Sequence, residues 1–184
     1  MAGLDSISVG QLASATGVSK SGILTVFANR EAIQLAAVAE ARRVYVDTVI
    51  RPAWSAPAGR ARLRALLDAW VAYLRAETFP GGCFLAAASV EYGHRRGPVA
   101  DAVRALKREW LGALEGEFAA AGVADPVEAT FRLDAYLEAG NNRRGLFWDD
   151  AELDRARDLA SALIDATAAP TDLRVDEPLG PGDA

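Results

Sequence analysis

The segment from Arg60 to Glu77 has the most regular hydrophobic pattern in the chain. Its large apolar side chains recur at i, i+3, i+4, i+7, i+8 and i+11, and they are Leu63, Leu66, Leu67, Trp70, Val71 and Leu74. This spacing places them on one face of an α-helix. Such a face must pack against other elements, and the chain has no alternating period-two segment typical of a strand. The pattern therefore predicts a helix within an all-α fold.

Further helices are predicted from their end signals. Pro98 suits the first position of a helix that ends near Gly122. The segment Asp125-Pro126-Val127-Glu128 combines an N-cap, a proline and a capping-box glutamate, and it predicts another helix start. The residues Phe79-Pro80-Gly81-Gly82 break the chain before a short apolar helix, Cys83–Tyr92. Residues 141–148 either continue the helix that begins at 126 or form a polar break.

The segment from Val9 to Phe27 predicts two short helices joined by a tight turn. Gly17 can adopt the left-handed conformation that ends the first helix, and Ser19 is a suitable N-cap for the second. The expected buried residues are Val9, Leu12, Ala13, Val18, Ile23, Leu24 and Phe27. A short second helix with small polar residues on its outer face is typical of a helix-turn-helix.

Two groups of residues resemble the tetracycline-repressor (TetR/AcrR) family. The first matches the family's DNA-binding signature and comprises Ile7-Ser8-Val9, Leu12-Ala13, Gly17-Val18-Ser19-Lys20, Phe27 and Asn29-Arg30-Glu31. The second is Phe79-Pro80-Gly81-Gly82-Cys83-Phe84-Leu85-Ala86-Ala87 with Gly97-Pro98-Val99, which is similar to the C-terminal domain of one TetR subgroup. The resemblance implies an all-α transcriptional regulator with an N-terminal helix-turn-helix and a C-terminal bundle. That bundle would bind a small molecule, which usually ends repression.

The resemblance also implies the domain organisation. Residues 1–50 would form the helix-turn-helix and a connecting helix capped by Asn29. The connecting helix would end near Arg51-Pro52, because a residue before proline disfavours the helical conformation. Residues 51–167 would bind the ligand and form a homodimer through a four-helix bundle of the helices at about 126–140 and 150–166. Residues 168–184 would be a disordered acidic tail.

Three features depart from the family pattern. An extra helix precedes the motif in the family, whereas Gly3 already lies where that helix should have ended, so we expect it to be missing. Leu24 occupies a position that is usually aromatic. Residues 1–50 contain four Lys and Arg against four Asp and Glu, so their net charge is zero, although DNA affinity depends largely on phosphate neutralisation. Two alternatives follow: a TetR-derived protein that no longer binds DNA and uses its cavity for binding or catalysis, or a misassigned start.

The candidate DNA-binding residues lie on or beside the second helix. Cations and hydroxyls are the side chains that contact phosphates, and the candidates are Ser8, Ser19, Lys20, Ser21, Thr25 and Arg30. The outer face has no Arg, Asn or Gln that could read a base edge in the bidentate manner. Double-stranded operator DNA is therefore the expected partner, without an identifiable base-reading residue.

The candidate ligand-binding residues are mostly aromatic. They lie on the helices that, by the resemblance, surround the family's cavity, and they are Trp70, Tyr73, Phe84, Tyr92, Trp110, Tyr136 and Asn141. Core packing explains most of the aromatic residues individually, and a few would line a pocket for a small apolar or aromatic ligand. Asn141 would supply a polar wall, or else belong to a solvated turn.

Composition limits the remaining function classes. A single cysteine, Cys83, cannot form an internal disulfide and indicates a reducing cytoplasm. A single histidine, His94, argues against a histidine-based metal site. We expect His94 to lie in a solvated loop, and the less favoured alternative is that it acts as a general base together with Glu91. No phosphate-binding glycine loop, zinc-ligand spacing or nucleophile elbow is present, and no apolar run could cross a membrane. We therefore predict no catalytic residue, metal or cofactor.

Overall fold

The computed structural model describes residues 3–166, and every regular element in that range is helical. A 3-10 turn, Leu4–Ser6, precedes the first α-helix. The α-helices are α1 (Val9–Thr16), α2 (Lys20–Val26), α3 (Arg30–Tyr45), α4 (Arg51–Ala53), α5 (Arg60–Arg75), α6 (Phe84–Tyr92), α7 (Pro98–Ala120), α8 (Pro126–Phe147) and α9 (Ala151–Ala166). A π-helical turn, Val46–Ile50, joins α3 to α4. The all-α prediction is confirmed, and the expected tail at 168–184 lies outside the described residues.

The core is centred on α5, which contacts α7, α9 and the π-helical turn. All six residues of its predicted apolar face are buried, and so is Tyr73. The apolar side of α7 faces the same interior, and its buried residues include Val103, Trp110 and Phe118. Burial of each such side chain contributes about 1.5–3 kcal/mol relative to exposure, so this layer supplies much of the folding free energy.

The predicted helix starts are confirmed by their hydrogen bonds. The side chain of Ser19 accepts from the backbone N–H of Gly22 at 3.1 Å, and Asn29 accepts from Ala32 at 2.9 Å. Asp125 accepts from the N–H of Glu128 at 2.9 Å. Each cap satisfies a donor that the first helical turn leaves without a partner. Gly17 ends α1 with φ 71°, the left-handed conformation expected from the sequence.

The connecting helix ends at Ala53, one residue beyond the expected end near Arg51-Pro52. The π-helical turn lies just upstream of Pro52 and changes the hydrogen-bonding register there. The N–H of Arg51 donates to the carbonyl of Val46, five residues back. Pro52 then lies in the first turn of α4, where a missing N–H is tolerated.

The helix-turn-helix is less buried than expected. Leu24 and Val18 were expected to be covered, but they are 49% and 45% exposed, and Ile23 is the buried residue of α2. The side chain of Val18 lies over Gly22 instead, where an added Cβ would be 2.7 Å from a Val18 methyl group. The two short helices pack mainly on each other, so each has only one covered side.

Residues 141–147 continue α8 as one helix, which decides between the two alternatives that the sequence left open. Helices α8 and α9 form the most extensive contact between elements of the fold. Near their connection, Arg143 pairs with Glu152 of α9 at 2.6 Å, and Arg144 pairs with Asp150, which lies just before α9, at 2.6 Å. The closest approach is at Gly140, where an added Cβ would be 2.4 Å from the Cβ of Ala156.

We predict that Gly140→Ala destabilises the protein, because the added methyl group would overlap Ala156 and force α8 and α9 apart. The expected loss is about 1–3 kcal/mol in the free energy of unfolding, measured by chemical denaturation. Gly116→Ala in α7 is the matched control, since an added Cβ there meets nothing within 4 Å. That change is expected to stabilise the helix by up to about 1 kcal/mol. Effects of the same sign would contradict the close packing of α8 on α9.

Candidate ligand cavity and DNA-binding face

An aromatic-lined cavity of about 310 Å³, called the main cavity, lies among α3, the π-helical turn, α6 and α7. A larger and more open groove of about 940 Å³ lies between α6 and α8. The volume of the main cavity is at the lower end of the roughly 300–1,000 Å³ of small-molecule pockets. Aromatic and aliphatic side chains dominate the lining, which comprises Ala41, Arg42, Tyr45, Val46, Ile50, Trp54, Tyr73, Phe84, Leu85, Leu106, Glu109, Trp110 and Ala113. The cavity is therefore suited to an apolar molecule.

Tyr45 of α3 is central to the aromatic wall. Its ring is 5.5 Å from that of Tyr73 at an interplanar angle of 83°, and 5.5 Å from that of Trp110 at 87°. These are edge-to-face contacts, which add to the stabilisation from buried area. They connect α3 to α5 and α7 and define one boundary of the cavity. Two residues of the π-helical turn, Val46 and Ile50, extend the same wall.

The cavity carries little net charge. Burial raises the pKa of the Tyr45 and Tyr73 hydroxyls and of the Cys83 thiol, so these groups are neutral near pH 7. The two charged lining residues neutralise each other, since Arg42 Nε donates to Glu109 Oε2 at 2.8 Å. The hydrogen bond from Arg42 to Glu109 also raises the pKa of the guanidinium. This balance favours a neutral ligand.

A second, much smaller cavity of about 20 Å³ adjoins the first beside Tyr45, Leu85 and Trp110. Lys107 lies on its wall and hydrogen-bonds both Asp134 at 2.8 Å and Glu138 at 2.6 Å. Burial lowers the pKa of Lys107, but the hydrogen bonds to the two carboxylates outweigh it and raise the pKa overall. The space is large enough for about one water molecule, so it adds a polar corner rather than a second ligand site.

The structure brings some of the predicted ligand residues together and separates others. Tyr73, Phe84 and Trp110 line the main cavity, whereas Trp70 and Asn141 line the small one. Asn141 Oδ1 accepts the backbone N–H of Cys83 at 3.1 Å, so this side chain also holds the loop before α6.

Two predicted ligand residues lie elsewhere. Tyr92 is buried at the far end of α6, where the guanidinium of Arg95 lies 4.9 Å above its ring. Tyr136 is partly buried against the core and lines neither cavity. Tyr45 and Trp54 were not predicted from the sequence, because the hydrophobic stripe of α3 is weak and Trp54 lies in a predicted loop. Their aromatic side chains were the one sequence signal that could have marked them as cavity residues.

The predicted DNA-binding residues lie near the N-termini of α1, α2 and α3, except Thr25, which lies in the last turn of α2. Lys20, Ser21 and Thr25 are exposed on α2. Ser8 and Ser19 are N-caps, and the hydroxyl of Thr25 donates to the carbonyl of Ser21 at 2.9 Å.

Arg30 is engaged within the protein. Its Nε donates to the carbonyl of Ile7 at 3.0 Å, and its guanidinium pairs with Asp5 at 3.1 Å. The side chain is still 51% exposed, so other N–H groups face solvent. Within residues 3–166, Lys20 forms no ion pair, whereas Arg30, the other cation on this face, pairs with Asp5.

His94 is exposed, and the carboxylate of Glu91 accepts two backbone N–H groups, those of Leu4 and Asp5. Within the described part of the chain, no three His, Cys, Asp or Glu side chains are arranged to hold a metal ion. In the same range, no helix has both the length and the apolar character needed to cross a bilayer.

The arrangement of helices α5 to α9 agrees with a known family. Residues 59–160 match the model of the tetracyclin repressor-like C-terminal domain, and they cover more than half of the chain. The chain belongs to the TetR family. The crystal structure of a TetR-family transcriptional regulator from Streptomyces coelicolor aligns with a TM-score of 0.79. The alignment covers 90% of this chain and 87% of that chain at 21% sequence identity, which demonstrates a shared TetR fold. A search of curated proteins found no match.

We predict that N-phenyl-1-naphthylamine, a neutral aromatic dye, binds in the main cavity of this TetR-family protein with increased fluorescence. Ala113→Phe is expected to weaken that binding at least about tenfold, or 1.4 kcal/mol, because the added ring would occupy cavity volume. Ala105→Phe is the control, since Ala105 is exposed on the same helix. Identical fluorescence titrations for the two variants would contradict this location.

Proposed function

We propose that this TetR-family protein is a transcriptional regulator that binds operator DNA as a homodimer and is released by a small apolar or aromatic ligand. The observation that carries the proposal is the position of the aromatic cavity. It lies directly against α3, which follows the helix-turn-helix with only three residues between α2 and α3. A ligand in this cavity would therefore contact the helix that positions the DNA-binding motif.

The chemistry of the cavity supports a neutral ligand with at least one ring. Aromatic walls from Tyr45, Tyr73 and Trp110 favour stacking or edge contacts with a flat molecule. The neutral hydroxyls of the two tyrosines are both donors and acceptors, and could orient a polar substituent. A charged ligand would lose hydration without gaining a counter-ion, because Arg42 and Glu109 already pair.

The π-helical turn supports a mechanism for release. Val46 and Ile50 belong to this turn and line the cavity, and π-helical turns within helices often mark functional sites. A ligand that displaces these side chains would shift α3 relative to α5. In a dimer, this shift changes the separation of the two recognition helices, which must match about one turn of DNA. We keep the domain division proposed from the sequence, 1–50 and 51–167, although α3 and α4 run without interruption across it.

The DNA-binding role rests on the geometry of α2 and on hydroxyl chemistry. Ser8 and Ser19 each accept a backbone N–H as caps, so the O–H of Ser8 can donate to phosphate. The hydroxyls of Ser19 and Ser21 share a hydrogen bond at 3.0 Å, which leaves one of their two O–H groups to donate. Lys20 adds a positive charge at the N-terminal end of the recognition helix, where the helix dipole also favours phosphate. Such contacts position the protein on DNA and carry little sequence information themselves.

We predict that Lys20→Ala weakens binding to duplex DNA from the gene's own neighbourhood and reduces the salt slope by about one, because one phosphate contact is lost. Fluorescence anisotropy over a range of salt concentrations measures both effects. Arg108→Ala removes an exposed cation from α7 and is the control that should leave both unchanged. Equal effects of the two variants would count against α2 as the DNA-binding element.

The homodimer is proposed from the apolar surface of α8 and α9. Five large side chains on these two helices are between 48% and 72% exposed: Val127, Phe131, Leu146, Phe147 and Leu159. Trp148, directly after α8, is 92% exposed. Monomeric proteins rarely leave so many large apolar side chains of two adjoining helices in water, and a two-fold four-helix bundle would cover them.

We predict that Phe131→Glu converts a dimer into a monomer, since the new carboxylates would face each other or an apolar partner surface in the bundle. Sedimentation velocity at micromolar concentration measures the change. Ala105→Glu introduces the same charge on the exposed side of α7 and should leave the dimer intact. A wild-type protein that sediments as a monomer would exclude this part of the proposal.

A second candidate is a TetR-derived protein that no longer binds DNA and uses its cavity for binding or catalysis. It is favoured by the zero net charge of residues 1–50 and by the engagement of Arg30 with Asp5 and Ile7. The same anisotropy titration discriminates the two candidates, because wild-type protein without DNA affinity at low salt would support the second. Either protein would act in the cytoplasm, where Cys83 stays reduced.

A further inference from the structure

The carboxylate of Glu91 hydrogen-bonds the N-terminal turn, Leu4–Ser6, from the ligand-binding part of the fold. Glu91, in the last turn of α6, accepts the backbone N–H of Leu4 at 2.8 Å and that of Asp5 at 2.7 Å. Hydrogen bonds to a charged acceptor are about twice as strong as neutral ones. Leu4 itself is only 6% exposed and belongs to the hydrophobic core, so the turn is anchored by both polar and apolar contacts.

Gly3 also lies close against the Glu91 carboxylate. An added Cβ on Gly3 would be 2.6 Å from one Glu91 carboxylate oxygen, so a larger residue cannot occupy this position without moving the carboxylate. The side-chain amide of Gln34 on α3 donates to the carbonyl of Leu4 at 3.3 Å. Asp5 pairs with Arg95 at 2.9 Å, and the hydrogen bond from Arg95 holds the pKa of Asp5 below its usual value.

This turn leads directly into the helix-turn-helix. The carbonyl of Ile7 accepts from Arg30 at 3.0 Å, and the next residue, Ser8, is the N-cap of α1. At the opposite end of α6, Phe84 and Leu85 line the main cavity. One nine-residue helix therefore contacts the cavity at its first turn and the N-terminal turn at its last.

We infer that Glu91 is a positioning residue that sets the placement of the helix-turn-helix on the ligand-binding part of the protein. It lies on α6, outside the predicted DNA-binding face, and it acts through the backbone of Leu4 and Asp5. This inference rests on the proposed DNA-binding function, because its first test measures DNA binding. The helix-turn-helix contributes few buried residues of its own, so its orientation depends on anchors of this kind.

A double-mutant cycle between Glu91 and Gly3 tests the inference. Glu91→Ala removes the acceptor and is expected to weaken DNA binding about tenfold or more in anisotropy titrations. Gly3→Ala shifts the carboxylate, which is the flexible end of its side chain, and is expected to weaken binding by a smaller factor. Gly3→Ala should have no further effect in the Glu91→Ala background, because the clash partner is then absent. Glu91→Gln keeps one acceptor oxygen and should restore part of the affinity. Binding of N-phenyl-1-naphthylamine should be unchanged throughout, which separates positioning from unfolding.

Glu115→Ala is the control, since it removes an exposed carboxylate from α7. DNA affinities within twofold of wild type for Glu91→Ala, or additive effects of the two substitutions, would overturn the inference. If the wild-type protein binds no DNA, the proposed function fails, and hydrogen exchange then tests the inference independently. Glu91→Ala should accelerate exchange throughout α1 and α2 but not in α5 or α7. Acceleration confined to Leu4 and Asp5 would show a local contact without a positioning role.

Discussion

The edge-to-face contacts of Tyr45 with Tyr73 and Trp110 join three helices that are distant in sequence. They hold α3 against α5 and α7 while leaving a cavity beside the rings, because rigid aromatic side chains cannot collapse to fill the space. The buried apolar faces of α5 and α7 supply the stability on which this arrangement depends. The cavity is thus a consequence of how the core packs and is not separate from it.

Attachment of the helix-turn-helix depends on few interactions by comparison. Its two helices bury mainly Ile23, and its polar anchors are Arg30 at the start of α3 and Glu91 at the end of α6. A module held in this way can change its position at low free-energy cost, since few buried contacts must break. That property suits a regulator whose DNA affinity responds to a ligand, and it also fits a domain that has lost its original role.

Local sequence patterns predicted most of the fold. The helix starts at Ser19, Asn29 and Asp125 and the turn at Gly17 depend on residues within a few positions of one another, so they could be recognised directly. The π-helical turn before Pro52 could not, because it forms where residues 46–50 pack on α5. Of the predicted ligand-binding residues, Tyr73, Phe84 and Trp110 line the cavity, whereas Tyr92 and Tyr136 face other neighbours, and a role in ligand binding stays a prediction.

The sequence by itself determined an all-α chain of the TetR family with a tight helix-turn-helix near its N-terminus, since periodicity, caps and motif residues are local properties. Only the tertiary structure decided that Tyr45 completes the aromatic wall and that Arg30 is engaged with Asp5 and Ile7. It also showed that Glu91, paired with His94 in the sequence-based alternative, binds the N-terminal turn. Leu4 and Glu91 are 87 residues apart, and contacts over that distance follow from the packing of whole helices.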